Sequence, residues 1–154
     1  MAYISLLQTQ LMKYLICFFY LSFSTIAFSQ KNDTTAIIQL LKSDYGTMLS
    51  MDLKKHMSNC TEDYLLIEAG DVWNMEKESK WYKDDANKVT DRKDNFDFKY
   101  IRIDGDVAYA VYNLLSDITK EEKHTQKSWN ESTIFRKVNG EWKIALIHSS
   151  PIKP

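Results

Sequence analysis

Trp129-Asn-Glu-Ser-Thr-Ile-Phe-Arg-Lys-Val-Asn-Gly-Glu-Trp-Lys-Ile144 is the stretch whose reading decides the fold. Asn139-Gly140 is the dipeptide of a type I′ turn, in which both central residues need a left-handed backbone. On either side, polar and apolar residues alternate with a period of two, the mark of strands. The stretch therefore predicts a hairpin with strands over 125–138 and 141–150, stopped by Pro151 and Pro154. Upstream, Asp104-Gly105-Asp106 predicts a second tight turn, between a strand over 95–103 and one over 107–118. Phe96, Phe98 and Tyr100 share one face of the first of these, and Ala108, Ala110 and Tyr112 share a face of the second. Residues 119–124, with four charges, read as the exposed tip of that second strand, and 88–94 as a patternless loop.

The period before residue 88 is helical. Ile37, Leu41, Asp44/Tyr45 and Met48 recur at one-turn spacing and predict a helix over 34–50, opened by Asp33-Thr34-Thr35. Asp52 caps a short helix over 53–58, with Leu53, His56 and Met57 facing inward. Tyr64-Leu-Leu-Ile67 reads as a strand buried on both sides, followed by a turn at Glu68-Ala-Gly-Asp71. Asn74 caps a third helix over 75–87, with Met75, Tyr82 and Ala86 on its core face. Helices followed by a run of hairpins give an α+β domain, its helices on one face of a curved antiparallel sheet.

Composition narrows the setting. The chain has 154 residues, 20 Lys and Arg against 21 Asp and Glu, and a net charge of −1. That balance offers no long-range attraction to nucleic acid or to an acidic membrane, and neither is expected as a partner. Residues 1–29 have one base, Lys13, no acid, an apolar run over 14–21 and small residues at the end. This is the pattern of a cleaved signal peptide, so the mature domain is expected to begin at Gln30 and to be exported, periplasmic or secreted, with no membrane span left. Translation starts at Met1 or at Met12. Cys60 is then the one cysteine of the mature chain, which excludes an internal disulfide and suits a small buried residue at a helix end. His56, His124 and His148 have no ligand spacing, and no Cys-x-x-Cys, Gly-rich phosphate loop or G-x-S-x-G is present. The expectation is neither metal nor cofactor.

Three stretches carry a resemblance. Met51-Asp-Leu with Cys60-Thr-Glu-Asp-Tyr-Leu-Leu-Ile67, Arg102-Ile-Asp-Gly-Asp-Val-Ala-Tyr-Ala110, and Trp129 to Ile144 running on to His148-Ser-Ser150 are similar to the nuclear transport factor 2-like superfamily. The branch resembled is the SnoaL-like and calmodulin-kinase-II-association-domain-like group, over about residues 34–150. The resemblance implies a cone-shaped α+β fold, with three helices from the N-terminal half on the concave face of the sheet. It also implies a homodimer through the sheet and a cavity between sheet and helices. Some members use that cavity as enzymes, others for a ligand or only as core, so fold does not settle function.

Candidate residues follow. Glu68 falls where the similar ketosteroid isomerases carry their general base, and a carboxylate at the end of a buried strand can be desolvated toward neutrality. Those isomerases also use a helix Tyr and a strand acid. Here Asp44 stands at the first position with Tyr45 beside it, and Ser132 or Thr133 at the second with Glu131 beside them. His148 shares a face with Trp142, Ile144 and Leu146 by the period of two, and the related association domains show a His there. Trp129, Glu131 and Thr133 alternate on one face, which either lines the cone or meets a dimer partner. Tyr45, Trp73, Trp129 and Glu131 are the candidate ligand contacts, Glu68 and His148 the candidate catalysts. Three readings are open: a ligand-binding domain, a cofactor-free proton-transfer enzyme with Glu68 as base, and a dimeric association module whose cavity is filled.

Overall fold

The computed structural model describes residues 32–152. The chain divides into two compact units, Met1–Thr35 and Ala36–Pro154. The first is described only at 32–35, so the expected signal peptide and the start at Gln30 lie outside the described residues. Among the described residues no helix is long and apolar enough to cross a membrane.

The elements run α1 (32–50), α2 (Leu53–Asn59), β1 (Cys60–Glu68), β2 (Asp71–Asn74), α3 (Met75–Lys83), a 3-10 turn (Asp85–Asn87), β3 (Asp91–Asp104), β4 (Val107–Lys120), β5 (Lys123–Val138) and β6 (Glu141–Pro151). Both expected caps are present: the Asp52 carboxylate accepts from the Lys55 amide and the Asn74 side chain from the Lys77 amide. Six strands form one curved, unclosed sheet in the order β2-β1-β6-β5-β4-β3, with three helices over its inner face. The sheet is mixed where an antiparallel one was expected, because β1 lies parallel to β6. A chain that leaves β1 through the β2 hairpin and α3 before starting β3 at the far edge makes a crossover, and crossovers bring strands in parallel.

The structure differs from the sequence reading at five points. β2 is an added strand, paired with β1 through Ala69-Gly70 at φ 52° and 83°. This is the same left-handed turn as Asn139-Gly140, at 53° and 83°, but built on an alanine that gives no signal for it. α3 stops at Lys83, leaving Ala86 exposed. β3 starts at Asp91, inside the expected loop, and pairs through Asp91 with Thr119. β1 is buried on one side only, with Leu65 36% exposed. On α2, Met57 is 49% exposed and the buried residues are His56 and Asn59.

Two β-bulges break the period of two, each inserting one unpaired residue. At Lys99 the register passes from Phe98–Tyr112 to Tyr100–Val111, and Tyr100 swings outward to 59% exposure. At Ala145 it passes from Phe135–Ile144 to Ile134–Leu146. Beyond that point Ile147 and Ser149 take the inner face and His148 the outer one. Apolar packing between α1 and the inner face of β1, β4, β5 and β6 makes the core, with Ile37, Leu41, Tyr64, Tyr112, Leu114, Phe135 and Ile144 almost fully buried.

Candidate functional site

A cavity of about 740 Å³ opens between the inner face of the sheet and the helices. α1 supplies Asp44, Tyr45 and Met48 to its wall, β1 and β2 supply Tyr64, Glu68 and Trp73, and α3 supplies Glu78 and Trp81. β5 and β6 supply Trp129, Glu131 and Ser149, and lysines of the β4–β5 tip stand at one side. Such a volume is within the usual range for a small-molecule site, and apolar walls with a few convergent polar groups are the usual lining.

Glu131 is the polar centre of the sheet wall. The alternation of Trp129, Glu131 and Thr133 turns inward, toward the cavity. Glu131 is buried, and both its oxygens accept: Oε2 from the Tyr45 hydroxyl and Oε1 from Ser149 Oγ at 2.8 Å. The two residues that sit one step from the isomerase-like positions are therefore joined. Burial pushes the Glu131 carboxyl above its ordinary range, against the pull of the Tyr45 and Ser149 bonds. Tyr45 is itself held edge-on to Phe96, ring centres 5.2 Å apart, and burial raises its hydroxyl well above the usual value.

Glu68 reaches the cavity from the end of β1 and is half-buried. Desolvation, then the charge of Glu78, raise its carboxyl, with Lys127 and Arg92 opposing. Trp73 and Trp129 are half-buried in the lining, Trp73 with the Lys77 ammonium 4.7 Å above its ring. His148 does not join them. The bulge at Ala145 places it on the outer face, paired in register with Ser132 and Ile67 and exposed, so its expected alignment with Trp142 and Ile144 is corrected.

A second polar group lies under the helices, and the sequence reading missed it. Asp44 of α1, His56 of α2 and Glu78 of α3 are all buried. His56 Nδ1 is 3.0 Å from Asp44 Oδ1, and Nε2 is 3.3 Å from Glu78 Oε2. Asn59 Nδ2 donates to the same Asp44 oxygen at 2.9 Å. The imidazole stacks on Tyr82 at 5.0 Å and meets the Tyr64 edge at 5.6 Å. Burial works against a charge on this ring, but the Asp44 bond and the nearby Cys60 and Glu78 outweigh it, so the affinity of His56 for its proton is raised far above the ordinary range. Cys60 Sγ sits 3.9 Å from His56 Nε2, and burial pushes its thiol up to about 11, the behaviour of an inert buried cysteine. Glu78 carried a legible sign: it shares the helical stripe of Met75 and Tyr82, where an apolar residue is the norm.

A family model described as a SnoaL-like domain matches residues 37–154. The chain belongs to the SnoaL-like domain family. Solved structures agree on the fold. A nuclear transport factor 2-like protein of Cytophaga hutchinsonii is 18% identical, with a TM-score of 0.66 over 77% of this chain and 98% of its own. The association domain of C. elegans CaMKII is 17% identical, with a TM-score of 0.66 over 79% of this chain and 98% of its own. A superfamily protein from Salmonella enterica is 14% identical, with a TM-score of 0.70 over 81% and 94%. At these identities the likeness is one of fold. Comparison with curated proteins returns no match. The chain thus has the expected SnoaL-like family, with the α+β class and three-helix, curved-sheet architecture of the nuclear transport factor 2-like fold.

Proposed function

We propose that this SnoaL-like domain binds a small organic ligand in the cavity between sheet and helices. The observation that carries the reading is an open space of about 740 Å³, walled by rings, into which the buried carboxylate of Glu131 and the half-buried one of Glu68 both face. A domain whose interior served association alone would fill that space, since interiors pack densely and a buried acid costs stability. Tyr45, Trp73, Trp129 and Glu131 are the contacts. The test is a thermal-shift screen of the mature protein against a metabolite library, with Trp129→Ala alongside. Stabilising compounds that lose their effect in the variant support the reading. A library without a single stabilising compound defeats it.

A second reading has its own support. Glu68 is a cavity carboxylate with its affinity for protons raised, the state a general base needs near neutral pH. In that reading the domain moves a proton on its ligand without a cofactor. Retention of turnover by Glu68→Gln would remove it.

Two properties accompany either reading. The mature chain begins at Gln30 and acts outside the cytoplasm, as the pattern of residues 1–29 supports; the intact mass of exported protein decides this. The domain self-associates through its outer sheet face, where Tyr109, Ile134, Leu146 and Leu65 line up in register across four strands. The solved neighbours named as CaMKII hub and association domains support this in kind. Light scattering at micromolar concentration measures it.

A further inference from the structure

The helical end of the cavity leaves two carboxylate oxygens without a donor and sets one imidazole between two acids. Glu131 has a protein donor on each oxygen. Asp44, 1% exposed, has two donors on Oδ1 and none on Oδ2, although the residue lines the cavity. Glu78 Oε2 is near His56 Nε2 but outside hydrogen-bond geometry, and it too lacks a donor. One imidazolium stands between these two carboxylates, so the trio keeps one negative charge in a buried place. Two cations of the lining are committed elsewhere. Arg92 gives Nε to both oxygens of Asp94, at 2.9 and 3.1 Å, and Lys120 donates to the Ala86 carbonyl. A buried carboxylate oxygen without a donor carries its full desolvation cost, so folds rarely keep one without reason.

We infer that the cavity takes a primary amine, its ammonium drawn to Asp44 and Glu78 and reaching Asp44 Oδ2 once a side-chain turn uncovers that buried oxygen, its apolar or aromatic body against the ring walls. The inference rests on the reading of the cavity as a ligand site. An ammonium brings donors and charge at once, and the half-buried Trp81 in the same lining offers it a ring. Asp44, His56 and Cys60 also lie within 4.8 Å of one another, a spacing open to a soft divalent metal. His56 Nδ1 is already spent on Asp44 Oδ1, however, so a metal would have to break the contact that holds the cluster.

Three probes of one shape separate the cases: 2-phenylethylamine, neutral 2-phenylethanol and anionic 3-phenylpropionate, each titrated calorimetrically into the mature protein at pH 7. Indole N–H signals of Trp73, Trp81 and Trp129 serve as the monitor of cavity occupancy. The expected result is an amine bound at least about tenfold tighter than the alcohol, with no binding of the acid. Asp44→Asn should bring amine and alcohol to within about threefold of each other. Glu78→Gln, which leaves the His56–Asp44 contact in place, should narrow the gap by a few-fold. Alcohol bound as tightly as amine, with indole signals moving for both, overturns the amine inference and leaves the ligand site standing. Indole signals unmoved by any probe overturn both. Zinc alone raising the melting temperature in wild type but not in Cys60→Ser, with the amine inert, overturns the amine in favour of a metal.

Discussion

The two faces of this sheet invert the usual rule for polar and apolar residues. The inner face and the helices above it bury Glu131, Thr133, Ser149, Asp44, His56 and Glu78. The outer face leaves Tyr100, Tyr109, Val107 and Ile134 exposed. Buried polar groups and exposed apolar ones are the informative departures, because neither is stable on its own terms. The inner group is tied by hydrogen bonds from α1, α2, β4 and β6, with Asp44 Oδ2 and Glu78 Oε2 left without a donor, and it borders a space. The outer group runs across β3, β4 and β5, with Tyr109 and Ile134 directly paired. In the proposed reading the first face takes something small inside and the second meets something large outside, so that ligand and partner are kept on opposite sides of the same strands.

The sharpest way to break the inner face is His56→Ala. It removes the one cation between Asp44 and Glu78 and leaves two buried carboxylates with nothing opposite them. Loss of one partner of a buried ionic pair costs about 3–5 kcal/mol, and urea denaturation at pH 7 should show a loss of that size. The pH dependence has a definite sign. The folded imidazole holds its proton far above the unfolded value of about 6.5, so its stabilising contribution is complete below that pH and is lost as pH rises toward the folded value. Wild type minus variant should therefore shrink from pH 6.5 to pH 9, by at most about 1.4 kcal/mol per unit. A flat difference would mean the ring is neutral in the fold.

Glu131→Leu acts on the sheet side of the same face. It strands the Tyr45 hydroxyl and Ser149 Oγ without their acceptor, at about 1–3 kcal/mol for each group left unpaired. Part of this returns because a buried charge goes with it, so a loss of about 2 kcal/mol in the melt is expected. The folded carboxyl lies above its ordinary value. Its contribution is thus fullest below about pH 4.3 and is lost as pH rises through the folded value. The variant should look worst near pH 4 and improve relative to wild type toward neutrality. A penalty that grows with pH would place the Glu131 shift in the opposite direction.

How much of this was legible in the sequence depends on periodicity. The hairpins at Asp104-Gly105-Asp106 and Asn139-Gly140 were readable because the turn residues name the turn. The stripe Ile37, Leu41, Tyr45 was readable because helical spacing names a face. Tyr100 and His148 were misplaced by one cause: a single unpaired residue, Lys99 or Ala145, reverses every later side chain, and neither has a composition signal. The parallel pairing of β1 with β6 depends on chain path, which local pattern does not carry. Within the site, Glu68 and Glu131 were legible as acids on strands bordered by apolar residues. The Asp44–His56–Glu78 group was not assembled, because each member was read on its own helix, and a convergence of three helices is tertiary information.

The outer face is broken without touching the inner one by Ile134→Lys. Ile134 is paired in register with Tyr109 and with Leu146, at the middle of the apolar row. A charge there leaves folding stability within about 0.5 kcal/mol of wild type, the norm for an exposed position. It should still reduce the mass seen by light scattering to that of one chain, while indole shifts caused by any cavity ligand persist. Loss of ligand response together with loss of association would mean that the two faces are coupled, against the separation argued above.

The smallest expected effect on stability, and the most discriminating on chemistry, belongs to Glu68→Gln. Glu68 lies at the border of the inner face, half-buried at the end of β1, where the chain turns through Ala69-Gly70 into β2. Gln keeps its shape and its capacity to accept, so the melt without ligand should move by less than about 0.5 kcal/mol. The carboxyl itself should titrate above the ordinary value of about 4.3 when followed by NMR, because desolvation and the Glu78 charge both favour its protonated form. The direction is tested by Glu78→Gln. Removing that neighbouring negative charge should bring the Glu68 titration back down, though not to the ordinary value, since burial is the larger cause. Glu68 then separates the two readings of the cavity. If the domain only binds, Glu68→Gln alters affinity for a hydrogen-donating ligand by about 1–3 kcal/mol and no product ever forms. If it moves a proton, the same change removes turnover by orders of magnitude while ligand still protects the fold. An unshifted titration together with unchanged binding would take Glu68 out of the site and leave Glu131 and Asp44 as its working acids.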